Sequence, residues 1–473
     1  MIAELPAPGP SRTVPLPHAR ERRLNNGLRV IAFSRAEVPA NVRVPLVTAS
    51  LTVERGSAND PVPLPGLAAM TATMMMQGTR RRSALEMGAA IDSVGARLAS
   101  AASFDASTTS ASATTSTFEA TLELLAETVR EPAFDGAEFE RVRAKALSDL
   151  QLTYSTASAL ARLVFARAIG GESPYAHPIA GTPKSLGAMT RDDVVGFHAH
   201  AYRPDDAILL IGGEIDAGAA FALAEGVFGD WRPAAGPDHR PRDAEPPAPR
   251  PRVVAIDRPE AGRTALCIGR LAVARASEAY YAGIVTCGSL AGYSGRLNQE
   301  VRVKRGLSYG AGAQIVARGR GGSFTATTLV EHAEAVHAVE VVQETLRSLV
   351  ERPPADAELT ARKATMLGAW NRAIDTNEGL LGLLGDYALY GIPLDELERY
   401  TARVEAIDPA QIAAFASTYV VPDTCAVLVG DTSQFVDSLA NIVTPSGPVV
   451  TPSEVEGQLR IIPFAELDLD HAI

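Results

Sequence analysis

Apolar positions along this chain fall into distinct patterns, and each predicts a different element. Two short unbroken runs, Ala207-Ile-Leu-Leu-Ile211 before Gly212 and Cys425-Ala-Val-Leu-Val429 before Gly430, are too short for helices and read as buried strands. Strands are also predicted over residues 27–33 and 46–53, over 104–114, where Ser or Thr alternates with Ala, and over 309–316. Periodic Ala, Leu, Met and Val separated by polar residues predict helices over 66–77, 83–94, 117–129 and 136–169. Later in the chain the same spacing predicts helices over 278–291, 332–349, 354–376 and 394–407. Strands and helices come in runs rather than in strict alternation, which predicts an α+β fold.

The pattern repeats itself. Thr190-Arg-Asp-Asp-Val-Val-Gly-Phe197 continues through Tyr202, Pro204 and Asp205 into the first apolar run. Asp408-Pro-Ala-Gln-Ile-Ala-Ala-Phe415 continues through Tyr419, Pro422 and Asp423 into the second. Each begins with a helix-capping residue, and Phe, Pro and Asp recur at a fixed offset of 218 positions, so the chain reads as a tandem duplication. Between the copies, 232–252 is dense in Pro and charge without apolar periodicity, the composition of a linker. The expected organisation is an N-terminal extension (1–18), a first domain (19–232), a linker (233–252), a second domain (253–440) and a tail (441–473). The tail begins rich in Pro and Ser and then carries the strand-like Leu459-Arg-Ile-Ile-Pro-Phe464. That segment is read either as an arm docking on a partner or on its own domain, or as a partly disordered terminus. Residues 317–324, rich in Gly and Arg, lack the Gly-Lys-Ser ending of a phosphate loop and predict a hairpin turn.

Composition narrows the class. The 473 residues carry a formal net charge of −11, which disfavours nucleic-acid binding, since phosphate contacts require clustered cations. No run approaches the ~18 apolar residues of a membrane span, so no integral membrane segment is expected. The first residues show no basic region followed by an apolar one, so no secretory signal is visible. Cys267, Cys287 and Cys425 are far apart and in apolar surroundings, as small core residues would be.

Arg55-Gly-Ser-Ala-Asn-Asp60, followed by Gly66-Leu-Ala-Ala69-Met-Thr-Ala72-Thr73-Met-Met-Met-Gln-Gly78-Thr79, resembles the pitrilysin/insulinase family of zinc peptidases. That family has Gly-Ser-x-x-(Asp/Glu) before a helix reading Gly-Leu-Ala-His-x-x-Glu-His-Met-x-x-x-Gly-Thr. The resemblance extends over most of residues 20–435 and implies two homologous α/β halves of the pitrilysin/insulinase-like metallohydrolase fold in tandem. In the family motif two imidazoles at i and i+4 hold zinc, and the carboxylate between them takes a proton from the bound water. Here those positions are Ala69, Ala72 and Thr73, none of which can bind zinc or act as a base. The family's third ligand falls on Asp149, which without the two histidines reads as an ordinary polar helix residue. The pairs His198/His200 and His332/His337 are poorly spaced for chelation on a helix and read as surface or capping residues. No metal is expected in this chain.

Residues Ser294-Gly-Arg296-Leu-Asn-Gln-Glu300-Val-Arg302-Val-Lys-Arg-Gly306-Leu-Ser-Tyr309 are similar to the family's C-terminal segment. There an Arg and a Tyr seven residues apart lie opposite the zinc helix across the substrate chamber, and by resemblance Arg302 and Tyr309 are that pair. An Arg fork suits peptide carbonyls or a carboxylate, and a Tyr hydroxyl can donate to an oxyanion. The bland reading is that Arg302 pairs with Glu300 or Glu278 on the surface and Tyr309 packs at a strand start.

The resemblance thus implies a noncatalytic subunit of a heteromeric zinc metallopeptidase, inactive alone. A homologous partner carrying His-x-x-Glu-His would hold the zinc, while Arg302 and Tyr309 contribute substrate binding and oxyanion stabilisation in trans. Peptides are then the substrates, and similar bacterial two-subunit enzymes imply a periplasmic location, with the cytoplasm as the alternative. A second reading is a catalytically inert structural or binding relative, like respiratory-complex core subunits. A third is an autonomous peptidase using another site.

Overall fold

The structure is a computed structural model that describes residues 16–35, 44–232, 253–441, 443–444, 447–448, 459–471 and 473. The expected linker and the first fifteen residues of the expected extension lie outside the described residues.

The first half contains strands β1 (Arg20–Arg23), β2 (Arg29–Ser34), β3 (Leu46–Val53), β4 (Arg97–Ala102), β5 (Ser107–Thr114) and β6 (Ala207–Gly213). They form one sheet in the order β1-β2-β6-β3-β5-β4. Its helices are α1 (Leu67–Met75), α2 (Ala84–Ser93), α3 (Phe118–Arg130), α4 (Gly136–Ser155), α5 (Ala157–Gly170), α6 (Pro183–Ala188), α7 (Arg191–Ala201) and α8 (Ala217–Phe228). The second half has β7 (Val253–Asp257), β8 (Thr264–Ala272), β9 (Ala311–Arg318), β10 (Gly321–Val330) and β11 (Cys425–Gly430). With them are α9 (Tyr280–Leu290), α10 (Arg296–Asn298), α11 (Ala335–Glu351), α12 (Asp356–Ile374), α13 (Asn377–Leu389), α14 (Glu396–Ala406) and α15 (Pro409–Tyr419). Short strands β12 (Val443–Thr444) and β13 (Gly447–Pro448) pair with each other, and β14 (Leu459–Pro463) joins the second sheet in the order β14-β7-β11-β8-β10-β9.

The two sheets share one plan. β6 lies parallel to β2 and antiparallel to β3, and β11 lies parallel to β7 and antiparallel to β8. The repeated segments occupy equivalent places. Thr190 caps α7 through a reciprocal pair with Asp193, and Asp408 caps α15 through a reciprocal pair with Gln411, each helix leading into the central strand of its sheet. The outer strand comes from opposite chain ends: β1 runs antiparallel to β2, whereas the tail strand β14 runs parallel to β7. The 317–324 segment is the turn of the β9–β10 hairpin, as its glycines predict.

The unbroken apolar strands have two buried faces, and the covering differs on each. Val30, Ala32, Leu209 and Ile211 face the first half's own core, while Ile31, Phe33, Ile208 and Leu210 face Leu380, Leu381 and Leu384 of α13. Reciprocally, Ala426 and Leu428 face the second half's core, while Val427, Val429, Val254 and Ile256 pack on Leu160, Val164 and Phe165 of α5. Each half thus lends a helix to the other's sheet.

The single helix expected over 136–169 is two helices. At Thr156 the backbone turns extended (φ −97°, ψ 108°), leaving α4 on the first core and sending α5 to the second sheet. No Gly or Pro marks this break. Tertiary burial of Leu160, Val164 and Phe165 outweighs the local cost of interrupting the helix.

Candidate functional site

The segment resembling the zinc helix is built around a buried carboxylate. Asp60 follows a single turn at Ser57–Asn59, and its side chain is fully buried. It accepts hydrogen bonds from Ser57 Oγ, Gly66 N–H and Ala68 N–H, each at 2.8 Å, and so satisfies the orphan donors at the start of α1. His177 Nε2 lies 2.9 Å from Ser57 Oγ and 3.6 Å from Asp60. Gly66 enters α1 at φ 96°, and a Cβ there would sit 2.8 Å from the Gly181 backbone, so this close approach requires glycine.

α1 carries Ala69, Ala72 and Thr73 and packs against α4, which carries Asp149. Ala72 is completely buried. The Thr73 hydroxyl donates to the Ala69 carbonyl at 2.9 Å, inside its own helix. Asp149 is exposed and takes a 2.6 Å ion pair from Lys145 one turn away. Two methyl groups, an internally bonded hydroxyl and a solvated carboxylate do not fit zinc, which takes imidazole, thiolate or carboxylate donors converging at about 2.0–2.3 Å. Among the described residues no group of three His, Cys, Asp or Glu could hold a metal ion.

The second sequence-predicted pair stands differently. After α10 the helix widens into a π turn over Gln299–Lys304, which carries Arg302. Gly306 at φ 66° then reverses the chain, with Gly306 N–H to Arg302 O at 3.0 Å and Leu307 N–H to Val301 O at 2.9 Å closing the helix before Tyr309. Glu300, the surface partner that spacing suggested for Arg302, instead pairs with Lys304 and Arg305, which hold its carboxyl below its ordinary pKa against the opposing effect of burial. Among the described residues neither the Arg302 guanidinium nor the Tyr309 hydroxyl makes a hydrogen bond or ion pair. Tyr309 is 79% exposed. Each belongs instead to a cation–aromatic contact: Arg302 over Tyr293 at 5.5 Å, and Arg263 over Tyr309 at 5.2 Å. Arg263 and Tyr293 were not expected from sequence. Tyr293 adjoins the Ser294-Gly-Arg296 stretch, but nothing local ties Arg263 to the site, since it arrives from the start of β8. Gly306→Ala would force a Cβ into a left-handed backbone; it is expected to destabilise the chain by about 1 kcal/mol, read from urea midpoints. An unchanged midpoint would show that the reversal is not strained.

His198 serves the fold. His198 Nε2–H donates to the Val129 carbonyl at the end of α3 at 2.8 Å, with its ring stacked on Tyr202 at 4.8 Å and edge-on to Phe134 at 5.2 Å. Burial pushes its pKa down to about 4, the bond to Val129 opposes this, and Arg80 adds to the lowering. The unfolded chain therefore protonates at this residue near pH 6.5 while the folded chain does not. Its contribution is constant above that value, and stability falls by about 3 kcal/mol as pH drops from about 6.5 to about 4, then levels. Urea unfolding across that range should show a steeper loss for the natural chain than for His198→Gln. Parallel curves would remove His198 as a cause.

Two α+β halves, each lending a helix to the other, with an equivalent of the metal helix that carries no metal donors, define a relative of the insulinase-type peptidases. Residues 37–182 match Insulinase (Peptidase family M16), and residues 188–366 match the Peptidase M16 inactive domain. The chain belongs to peptidase family M16, the pitrilysin/insulinase family. An uncharacterized zinc protease of Mycobacterium leprae is 24% identical over 396 residues, covering 83% of this chain and 87% of that protein. One of Streptomyces coelicolor is 22% identical over 403 residues, covering 84% and 86%. The fold is similar to the crystal structure of a peptidase M16 inactive domain from Pseudomonas fluorescens, with a TM-score of 0.79 and 24% identity over 87% of this chain and 98% of that one. It is also similar to a protease from Helicobacter pylori, with a TM-score of 0.78 and 19% identity over 88% of this chain and 100% of that one.

Proposed function

We propose that this chain is the metal-free subunit of a two-subunit M16 peptidase, presenting Arg302 and Tyr309 to a peptide held against a homologous partner that carries the zinc ligands. The carrying observation is the contrast between the two sites. The α1 positions hold no donor able to bind metal, whereas Arg302 and Tyr309 stand at the surface with their donors uncommitted to hydrogen bonds within the described residues. A guanidinium fork can hold a peptide carbonyl or carboxylate, and a Tyr hydroxyl can donate to the oxyanion formed as a peptide bond is attacked. Neither group needs a metal of its own, so the chain contributes binding and charge stabilisation and the partner contributes the attacking water. A division into subunits also accords with one partial relative, named mitochondrial-processing peptidase subunit beta, of rat. It is 22% identical over 221 residues, covering 47% of this chain and 44% of that protein.

The inert-relative reading draws on a different observation. Tyr293 and Val303 beside the pair are 73% and 53% exposed, which suits a protein interface whether or not chemistry occurs there. Pull-down of the tagged chain from its source extract separates the two. A similar-sized partner bearing His-x-x-Glu-His, and peptide hydrolysis only by the mixture, supports the paired enzyme. Recovery of the chain alone, or with a partner but without hydrolysis, leaves the inert reading. A periplasmic location belongs to the same proposal, and cell fractionation tests it.

A further inference from the structure

A second polar locus lies between the two halves, away from Arg302 and Tyr309. The β4–β5 turn of the first half carries Phe104 and Asp105 to the tip of the β9–β10 hairpin of the second. Asp105 accepts from Tyr175 OH at 2.5 Å, from Tyr390 OH at 2.9 Å and from Gly319 N–H at 3.1 Å, so its charge is engaged by three neutral donors. Arg318, next to Gly319, is held by ring faces instead: its guanidinium carbon is 4.2 Å from the Phe104 centroid and 5.2 Å from that of Tyr175. Burial lowers its pKa, and Asp105 only partly offsets this. No hydrogen bond or ion pair engages the Arg318 guanidinium among the described residues. A desolvated cation without an acceptor is costly, and ring faces compensate only part of that cost.

Arg318 lines a cavity of about 490 Å³ between α5 and the outer strands of the second sheet, a size within the usual range for small-ligand sites. Phe165, Ile169 and Val316 supply apolar wall. Thr325 also lines it, and its hydroxyl is buried without a hydrogen-bond partner. The charged lining is Arg162, Arg318 and Arg320 against Glu54 and Asp105, an excess of one positive charge that suits a monoanion.

We propose that this inter-half cavity binds a monoanion in which one carboxylate is joined to an apolar group, the carboxylate taken by the Arg318 fork and the apolar group lying along α5. Phe104 and Tyr175, perpendicular to each other with centroids 5.7 Å apart, meet the guanidinium through their ring faces and take none of its N–H donors, which remain for a carboxylate. Peptide C-termini and free aliphatic acids share this chemistry. The site does not depend on the paired-subunit reading, because no residue of that pair lines it and both halves of the cavity belong to one chain.

Calorimetry on the isolated full chain, with N-acetyl-alanyl-leucine, its C-terminal amide and octanoate as probes, tests the assignment. At least one free acid should bind about tenfold or more tightly than the amide, and Arg318→Gln should abolish that preference. Ala166→Leu, which fills the α5 wall without touching the charge, should abolish acid binding as well, and it decides the matter if Arg318→Gln fails to fold. Binding of the peptide acid alone assigns the site to peptide termini, and binding of octanoate alone to free acids. Equal binding of the acids and the amide, no binding of either acid at millimolar concentration, or acid binding unchanged in Ala166→Leu overturns the proposal.

Discussion

Tyr309→Phe is expected to lower the turnover of the assembled two-subunit complex about a hundredfold or more while leaving assembly intact. The hydroxyl is the only group removed, and loss of one oxyanion donor commonly costs about 2.7 to 4 kcal/mol of transition-state stabilisation. Because the ring is exposed and its hydroxyl makes no hydrogen bond among the described residues, the substitution removes no fold contact that could unseat the partner. The loss should appear in kcat with little change in KM, since the hydroxyl acts on charge that develops only in the transition state. Arg302→Ala, which removes a group suited to ground-state carbonyls, should act more on KM. The comparison is made by steady-state kinetics on the reconstituted complex, with its mass checked by gel filtration. Near-normal turnover for Tyr309→Phe would withdraw the oxyanion role and favour the inert relative.

Asp60→Ala is expected to destabilise the isolated chain by about 3 to 5 kcal/mol, because it leaves three donors facing a buried void where a carboxylate had satisfied them. Two of those donors are the backbone N–H groups that open α1, so the helix that a metal-bearing relative uses for chemistry should fray at its start. Asp60→Asn keeps the shape and one acceptor oxygen and should recover part of the loss. Urea unfolding supplies the numbers, and a change below about 1 kcal/mol would mean that water or a local rearrangement replaces the carboxylate. The loss here concerns folding, not catalysis. The sequence holds the acid that builds the helix entrance while Ala69, Ala72 and Thr73 replace the groups that would make it a metal site.

Local sequence carried a good deal of this. The apolar runs at 207–211 and 425–429 are strands, and the caps Thr190 and Asp408 are where the composition places them, because side-chain-to-backbone bonds and unbroken apolar stretches act within a few residues. The absence of zinc donors at Ala69, Ala72 and Thr73 is likewise a property of residue types alone. Local pattern did not predict the strands β1, β4, β7, β8 and β10 or the helices α8 and α13. β4 reads Arg-Leu-Ala-Ser-Ala-Ala with little β-branched content, and α13 is dense in Gly and Leu without clear periodicity.

The break at Thr156, the exchange of α5 and α13 between halves and the meeting of Asp105 with Tyr175, Tyr390 and Gly319 lay beyond local reading. Each depends on which surface covers a buried strand face or receives a hairpin tip, and residues separated by as many as 359 positions meet only once both sheets exist. The same holds for Arg302. Spacing alone offered it Glu300, but the π turn gives that acid to Lys304 and Arg305 and leaves the guanidinium outward. Residue type and short-range pattern thus determined the α+β class, the duplication and the lost metal site. The pairing of surfaces, and with it which charged groups stand uncommitted, was decided by packing between segments far apart in the chain, where burial energy outweighs local preference.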